Sequence, residues 1–339
     1  MNFILARLRN RTSRQYSLPK FVRKHIYLLS IGCSITFICS IDHFLGIAEV
    51  SAASIVTEFM PSKIIVESKH ILRQVEPTFW GFSLDLSTFQ SDFLDKNKHV
   101  RLDLLKMLQA FPNAVYRYPS GTPSNYFDWT ASVGPIEKRF PQKIVPWREP
   151  QPIVFGFDEY MTFVRNVGGV PWVTLNIFGA YDQELPIKQL SATSKQWVEY
   201  ASMNYPHNPI FRWELGNELF MKPYNWSPQK YTERSRKTIE VINSKINSDS
   251  YVAVLEDYKK KPDFPKLSIS EYNSLVSKNL GLIVSNFALH HYYGTLDAVQ
   301  ESLGYINQAI VNIKNNIPNG IIGLWITETK VLTVVKTEK

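Results

Sequence analysis

The chain has 339 residues, 44% hydrophobic and 13% aromatic, with no low-complexity tract. This excludes a disordered or fibrous protein and leaves room for one large α/β domain or two smaller ones. The net charge of +8 is no nucleic-acid signal, because residues 1–48 hold Arg7, Arg9, Arg11, Arg14, Lys20, Arg23 and Lys24 against Asp42 alone, and the rest carries 31 basic and 29 acidic groups.

The basic leader runs into IYLLSIGCSITFICSI, Ile26 to Ile41. That apolar run is shorter than the ~20 residues of a spanning helix and suits the core of a signal peptide. Small residues at Gly46, Ala48 and Ser51 to Ala53 supply cleavage points after Ala48 or Ala53. An uncleaved signal anchor is the rival reading, and in either case the remainder is expected to be exported, since positive charge stays inside. Both cysteines, Cys33 and Cys39, lie in this run, so the exported part can have no disulfide, thiol nucleophile or cysteine metal site. The organisation expected is a signal peptide or anchor over 1–48, a lead-in strand region over 49–78, a catalytic domain over 79–330 and a tail over 331–339.

From Phe79 the chain alternates strand-like and helix-period segments. A strand near Phe79 to Asp85 precedes Lys98 to Phe111, where Val100, Leu104, Leu105, Leu108 and Phe111 recur at helical spacing. AVYRYPS (114–120) is a second strand. Asp158 to Val167 is a helix that stops at Gly168-Gly169, and VPWVTLN (170–176) is a third strand. IFRWELGNE (210–218), YVAVLE (251–256), NFALHHYY (286–293) and IIGLWITE (321–328) follow as strands, with helices at Gln229 to Ile246, Ser268 to Leu280 and Asp297 to Ile317 between and after them. Seven such alternations predict parallel βαβ units and favour a (β/α)8 TIM barrel over an open sheet. The long connections, Pro119 to Pro152 and Lys222 to Pro228, follow strand ends, where a barrel builds its site.

Polar residues gather at those same ends: Arg117, Asn176, Asn217, Glu218, His290, Tyr292 and Glu328. Each has an ordinary structural reading by itself, a paired core arginine or a satisfied core histidine. Their convergence on one barrel face is what points to a site. Two carboxylates on strands four and seven meet the requirement of glycosidic cleavage, in which one acid protonates the leaving oxygen and the other attacks the anomeric carbon or activates water. Polar neighbours can bond sugar hydroxyls and hold the two acidities apart. Tyr126, Trp129 and Trp226 in the adjoining loops are candidates to stack on sugar faces, with loop packing as the equal alternative. His290 and His291 alternate faces on a strand, which argues against joint metal ligation. No metal-ligand spacing, phosphate loop or nucleophile elbow occurs, so no cofactor is expected.

These motifs resemble those of a clan A glycoside hydrolase of the α-L-arabinofuranosidase family (family 51 type), with the heparanase and β-glucuronidase family as a near relative. YRYPSGTPSNYFDWTASVGPIEKR (116–139) is similar to the family's arginine-plus-Pro-Gly-Gly loop. FGFDEYMTFVRNVGGVPWVTLN (155–176) is similar to its helix-two to strand-three segment, and LHHYYG (289–294) to its His-x-Tyr motif. The resemblance implies that WELGNE (213–218) carries Glu218 as general acid/base beside Asn217, and that WITE (325–328) carries Glu328 as nucleophile. The function implied is a retaining glycosidase acting on a carbohydrate such as an α-L-arabinofuranoside, with Arg117, Asn176, Asn217, His290, Tyr292, Trp129 and Tyr126 binding substrate. Glu214 then becomes structural, lying lower in the barrel with a lysine or arginine partner. Arg139 and Lys222 are candidates to meet a sugar carboxylate if the substrate is a uronide.

Three departures stand out. Ser120 replaces the first glycine of Pro-Gly-Gly, Leu219 stands where many relatives have proline, and only Thr329 and Lys330 separate Glu328 from the β-like run Val331 to Val335. A parallel crossover needs about a dozen residues, so VLTVV cannot be the eighth strand in sequence. The expectation is therefore a barrel without strand eight and without the family's C-terminal β-sandwich. An inactive sugar-binding remnant is the competing function.

Overall fold

The computed structural model describes residues 74–87, 93–242, 250–258, 267–284, 286–292, 299–318, 320 and 323–329. The leader and apolar run, the lead-in strand near Ile64, both cysteines and the tail from 331 lie outside the described residues. No described helix is long and apolar enough to cross a membrane.

Seven parallel strands form one sheet in chain order: β1 (Gly81–Asp85), β2 (Val115–Ser120), β3 (Val170–Leu175), β4 (Arg212–Leu215), β5 (Tyr251–Leu255), β6 (Asn286–His290) and β7 (Gly323–Glu328). Helices α1 (Leu102–Leu108), α2 (Phe157–Val167), α3 (Ile187–Asn204), α4 (Pro228–Ile242), α5 (Ile269–Leu280) and α6 (Val299–Asn316) connect them. β1 and β7, at the two ends of that order, approach each other. The sheet is thus a nearly closed (β/α)8-type barrel lacking one strand among the described residues.

Strand two shows how the two faces of the sheet are divided. Tyr116 and Tyr118 point outward into an aromatic layer, Tyr118 stacked on Tyr160 of α2 at 4.5 Å and Tyr116 edge-on to Phe163. Arg117, between them, points inward. The same period-two alternation puts Trp172, Thr174 and Glu214 inside the barrel while Val173, Trp213 and Leu215 join the sheet–helix core. Two helix tyrosines insert their hydroxyls between strands. Tyr160 donates to the Tyr116 carbonyl at 2.7 Å and accepts from the Trp172 amide at 2.9 Å. Tyr231 of α4 donates to the Leu215 carbonyl at 2.9 Å and accepts from the Val254 amide at 2.8 Å. Buried backbone groups require such partners, and these two bind helix to sheet at fixed depth.

The helix starts follow local chemistry. Ser268 and Glu271 cap α5 reciprocally, Glu271 N to Ser268 Oγ at 3.2 Å and Ser268 N to Glu271 Oε2 at 2.8 Å. α2 ends in Gly168 at φ +67°, a conformation only glycine adopts without strain.

Two differences from the expected elements are informative. Helix α3 was not anticipated: its buried stripe of Leu190, Trp197, Val198 and Ala201 is diluted by the equally buried Ser191 and Ser194, so the apolar period is faint. The fourth strand, expected to run to Glu218, stops at Leu215, because Gly216 takes φ +72° and turns the chain toward the barrel mouth.

Candidate active site

The site forms at the carboxyl ends of the strands and is organised by one guanidinium. Arg117, on the inner face of β2, donates Nε to Glu214 Oε2 at 2.5 Å and Nη2 to Glu214 Oε1 at 2.9 Å. Nη2 also reaches Asn217 Oδ1 at 2.9 Å, and Nη1 reaches Glu328 Oε1 at 2.7 Å. One planar fork therefore serves three residues, Glu214 on β4, Asn217 in the turn after it and Glu328 on β7. Arg117 is almost fully enclosed, and its proton is held more tightly than usual: burial works against the charge, but Glu214 and Glu328 outweigh it.

Glu214 is wholly buried. Besides the arginine it accepts Trp172 Nε1 at 2.8 Å and Thr174 Oγ1 at 3.4 Å. Burial would raise its pKa, yet Arg117 and His290 hold it below the ordinary carboxylate range. The arginine partner expected for Glu214 is present.

Glu218 follows two residues after Gly216 and itself has φ +47°. For a residue with a side chain this conformation costs roughly 1–2 kcal/mol, and such strain concentrates where geometry is needed for function. The turn is held from the opposite loop by Asn125, which accepts from the Asn217 amide at 3.0 Å and donates to the Asn217 carbonyl at 2.7 Å. Asn217 spends its Oδ1 on Arg117, and nothing among the described residues accepts from its Nδ2. The Glu218 side chain is 17% exposed and that of Glu328 15%, so both open toward the mouth of the barrel.

His290 ends β6 and sits among three carboxylates: Nδ1 is 3.0 Å from Glu218 Oε1 and 3.8 Å from Glu328 Oε1, and Nε2 is 3.8 Å from Glu214 Oε1. Burial alone would favour the neutral ring, but those charges raise its pKa to about 10. Glu328 also accepts a short hydrogen bond from the Tyr292 hydroxyl. Burial pushes its carboxyl up, and the charges of His290 and Arg117 overcome this and bring it to about 2. Tyr292 is raised by burial and by the Glu328 charge. Glu328 is thus a firmly ionised carboxylate facing the mouth, beside a Glu218 whose nearest partner is an imidazole.

The structure brings together Arg117, Asn217, Glu218, His290, Tyr292 and Glu328. Five other candidate residues have their side chains engaged elsewhere. Asn176 donates Nδ2 to the carbonyls of Phe127 and Gly179 and accepts the amides of Phe178 and Gly179 on Oδ1. Every polar position of its side chain serves the backbone, so it shapes a loop. Trp129 is buried, stacked on Trp197 at 5.9 Å, and donates Nε1 to the Thr193 carbonyl of α3. It is packing between loop and helix, with no face for a sugar. Tyr126 is buried among Phe178, Tyr181 and Tyr224, its hydroxyl accepting from that of Tyr224 at 2.7 Å, so it supports Tyr224 from behind. Trp226 is likewise buried, under Arg234 and Lys230. Arg139 spends its donors on the carbonyls of Gly134, Ile153 and Val154 and on Glu159, leaving none for a sugar carboxylate.

Two site residues went unread. Asp85 ends β1 with its carboxylate against Gly121, where an added Cβ would lie 2.6 Å from Oδ2. Burial raises its pKa, Ser87 opposes this, and the Glu328 charge adds to the rise. The rule that selected the other polar strand ends would have found it. Tyr224 is raised by burial and feels the Glu218 charge; it lies in an irregular loop, and only the fold brings it here.

A family model described as the alpha-L-arabinofuranosidase 1 domain matches residues 107–307, more than half of the sequence. The chain belongs to this family. Among curated members of similar sequence, an intracellular exo-alpha-(1->5)-L-arabinofuranosidase of Streptomyces lividans is 24% identical over 210 residues, 60% of this chain and 31% of that protein. A probable alpha-L-arabinofuranosidase C of Aspergillus fumigatus is 28% identical over 144 residues, 40% of this chain and 27% of the relative. Of solved structures, a family 51 alpha-L-arabinofuranosidase of Bifidobacterium longum superimposes with a TM-score of 0.61 at 17% identity, covering 76% of this chain and 56% of the other. The Thermotoga maritima alpha-L-arabinofuranosidase, solved as an arabinose complex, gives 0.57 at 18% identity with the same coverages. These likenesses confirm the arabinofuranosidase-type barrel. The chain spans about a third of the length of those curated relatives.

Proposed function

We propose that the chain is a retaining glycoside hydrolase acting on α-L-arabinofuranosides, with Glu328 as nucleophile and Glu218 as general acid/base. The observation that carries this is the difference in setting of the two carboxylates. Glu328 is ionised by Arg117, His290 and Tyr292, the state that attacks an anomeric carbon, whereas Glu218 has an imidazole nitrogen as its nearest partner, a group with which it can exchange a proton. One oxygen of each carboxylate, Glu218 Oε1 at 3.0 Å and Glu328 Oε1 at 3.8 Å, lies near the same His290 nitrogen, so the two groups are close neighbours. That proximity is compatible with the ~5–5.5 Å carboxyl separation of double displacement. Asn217 Nδ2 and Tyr224 are placed to bond sugar hydroxyls. The family, and the α-L-arabinofuranosidase activity for which its relatives are named, support an arabinofuranoside over a uronide, as does the engagement of Arg139. The basic leader supports export.

The test is turnover of 4-nitrophenyl α-L-arabinofuranoside by the full chain, with the first-formed anomer read by proton NMR. Retention supports the assignment. Inversion, or binding of arabino-oligosaccharides without hydrolysis, would sink it in favour of a single-displacement enzyme or a sugar-binding protein.

A further inference from the structure

Resting on that reading, we propose that Glu214 is a positioning residue for the acid/base step: its buried charge holds His290 as an imidazolium against Glu218, making His290 the proton store of the general acid. Glu214 lies four residues before Glu218, and after the left-handed turn at Gly216 the two carboxylates lie beside different nitrogens of one ring, Glu214 Oε1 3.8 Å from Nε2 and Glu218 Oε1 3.0 Å from Nδ1, with neither nitrogen in hydrogen-bond alignment in the resting geometry. Donors hold the Glu214 carboxylate from Arg117, Trp172 and Thr174. With no freedom to rotate and no water to screen it, it presents a fixed negative charge to Nε2. The other charged groups next to His290 are Glu328, whose charge does most to raise its proton affinity, and Glu218; Arg117 lies beyond them on Glu214 and Glu328, and Tyr292 on Glu328. The raised proton affinity of His290 agrees with this setting.

The step balances on one proton. As the leaving oxygen develops charge, the Nδ1–H bond breaks and an O–H bond forms on Glu218 Oε1, while Glu218 transfers its proton to the glycosidic oxygen as the C–O bond breaks and Glu328 bonds to the anomeric carbon. In the second half Nδ1 first takes its proton back from Glu218; the resulting carboxylate then takes a proton from water as the hydroxide bonds to the anomeric carbon and the bond to Glu328 breaks, which restores the starting protonation. Arg117 stays charged throughout.

The experiment compares wild type with Glu214→Gln, which keeps the shape and removes the charge. The His290 imidazole is followed by NMR in side-chain-labelled protein, its signal assigned by loss in His290→Gln. The midpoint of its titration should fall by at least one pH unit in Glu214→Gln, and Glu214→Asp should restore most of it. An unmoved midpoint in folded Glu214→Gln overturns the proposal. This readout needs no turnover, so it is separate from the assay of the proposed function. If Glu214→Gln does not fold, His290→Gln decides the matter. It should lose at least tenfold more kcat on a 4-methoxyphenyl arabinofuranoside, whose leaving group needs protonation, than on the 2,4-dinitrophenyl one, with KM nearly unchanged. Equal losses on both would overturn it.

Discussion

Arg117 and Glu214 meet edge to edge in the floor of the barrel, at 2.5 and 2.9 Å, and this pairing leaves one arginine nitrogen, Nη1, to reach Glu328 at 2.7 Å. The floor thereby determines where the candidate nucleophile sits. Arg117→Ala leaves Glu214 as an uncompensated buried charge and should destabilise the fold by about 3–5 kcal/mol, measured by urea unfolding. Arg117→Lys keeps the charge but cannot span three acceptors, so it should fold and lose at least about a hundredfold in kcat. Near-wild-type activity in the lysine variant would refute the idea that geometry matters here beyond charge.

Glu218 and Glu328 should fail differently. Glu218→Ala should lose kcat steeply on substrates with poor leaving groups, and added azide should restore turnover by replacing water in the second step. Glu328→Ala should lose activity on all α-arabinofuranosides alike. Rescue of both variants with the same anomeric product would reverse the assignment.

The pH dependence of stability follows from the two strongest shifts. His290 binds its proton more tightly folded than unfolded, so its contribution is complete below the unfolded value of 6.5 and is lost as pH rises through about 10. Glu328 is the opposite case: its contribution is complete above 4.5 and is lost as pH falls through about 2. Melting temperature should therefore decline from pH 6.5 toward 10. His290→Gln, tested by thermal melts over that range, should flatten the decline.

Gly216 is a position where no other residue fits. An added Cβ would lie 2.8 Å from Leu219 Cδ1 and 3.0 Å from Ile177 Cγ1, at a φ of +72°. Gly216→Ala should cost about 1–2 kcal/mol from the backbone alone. It should also move Asn217 and Glu218, so kcat falls by more than the loss of folded protein explains, as read from activity normalised to native circular dichroism.

Trp129 separates packing from binding. If it fills the space against Trp197 and Tyr200, as its contacts show, Trp129→Ala should destabilise by about 3–5 kcal/mol with KM unchanged in the folded fraction. A raised KM without lost stability would return it to the sugar site.

Alternating strands and helices made the barrel legible from sequence, and polar residues at strand ends pointed to the cluster proposed as the site. Glu328 closes β7, as the strand pattern leads one to expect, whereas Glu218 lies in the left-handed turn after β4, which only the three-dimensional path of Gly216 reveals. The aromatics were not legible. A tryptophan in a long loop has the same composition whether it faces a sugar or a helix, and Trp129 was decided by α3, whose buried serines hid it. Asn176 failed for a related reason: an asparagine at a strand end is as suited to capping loop amides as to binding ligand, and only the three-dimensional path of Phe178 and Gly179 shows which. Asp85 needed no new information, only even application of the strand-end rule.

Strands β5 and β6 are buried at every position, whereas each residue of β7 is half-buried. Local opening is easiest where burial is least, so Glu328 rides on a strand held more loosely than the ones that carry Arg117, Glu214 and His290. Besides the backbone bond from His291 N to the Glu328 carbonyl at 3.0 Å, the Arg117 and Tyr292 hydrogen bonds fasten its end. The contacts that set the charge of Glu328 also act as a clasp on the sheet edge, and amide exchange in β7 should therefore quicken whenever that charge is removed.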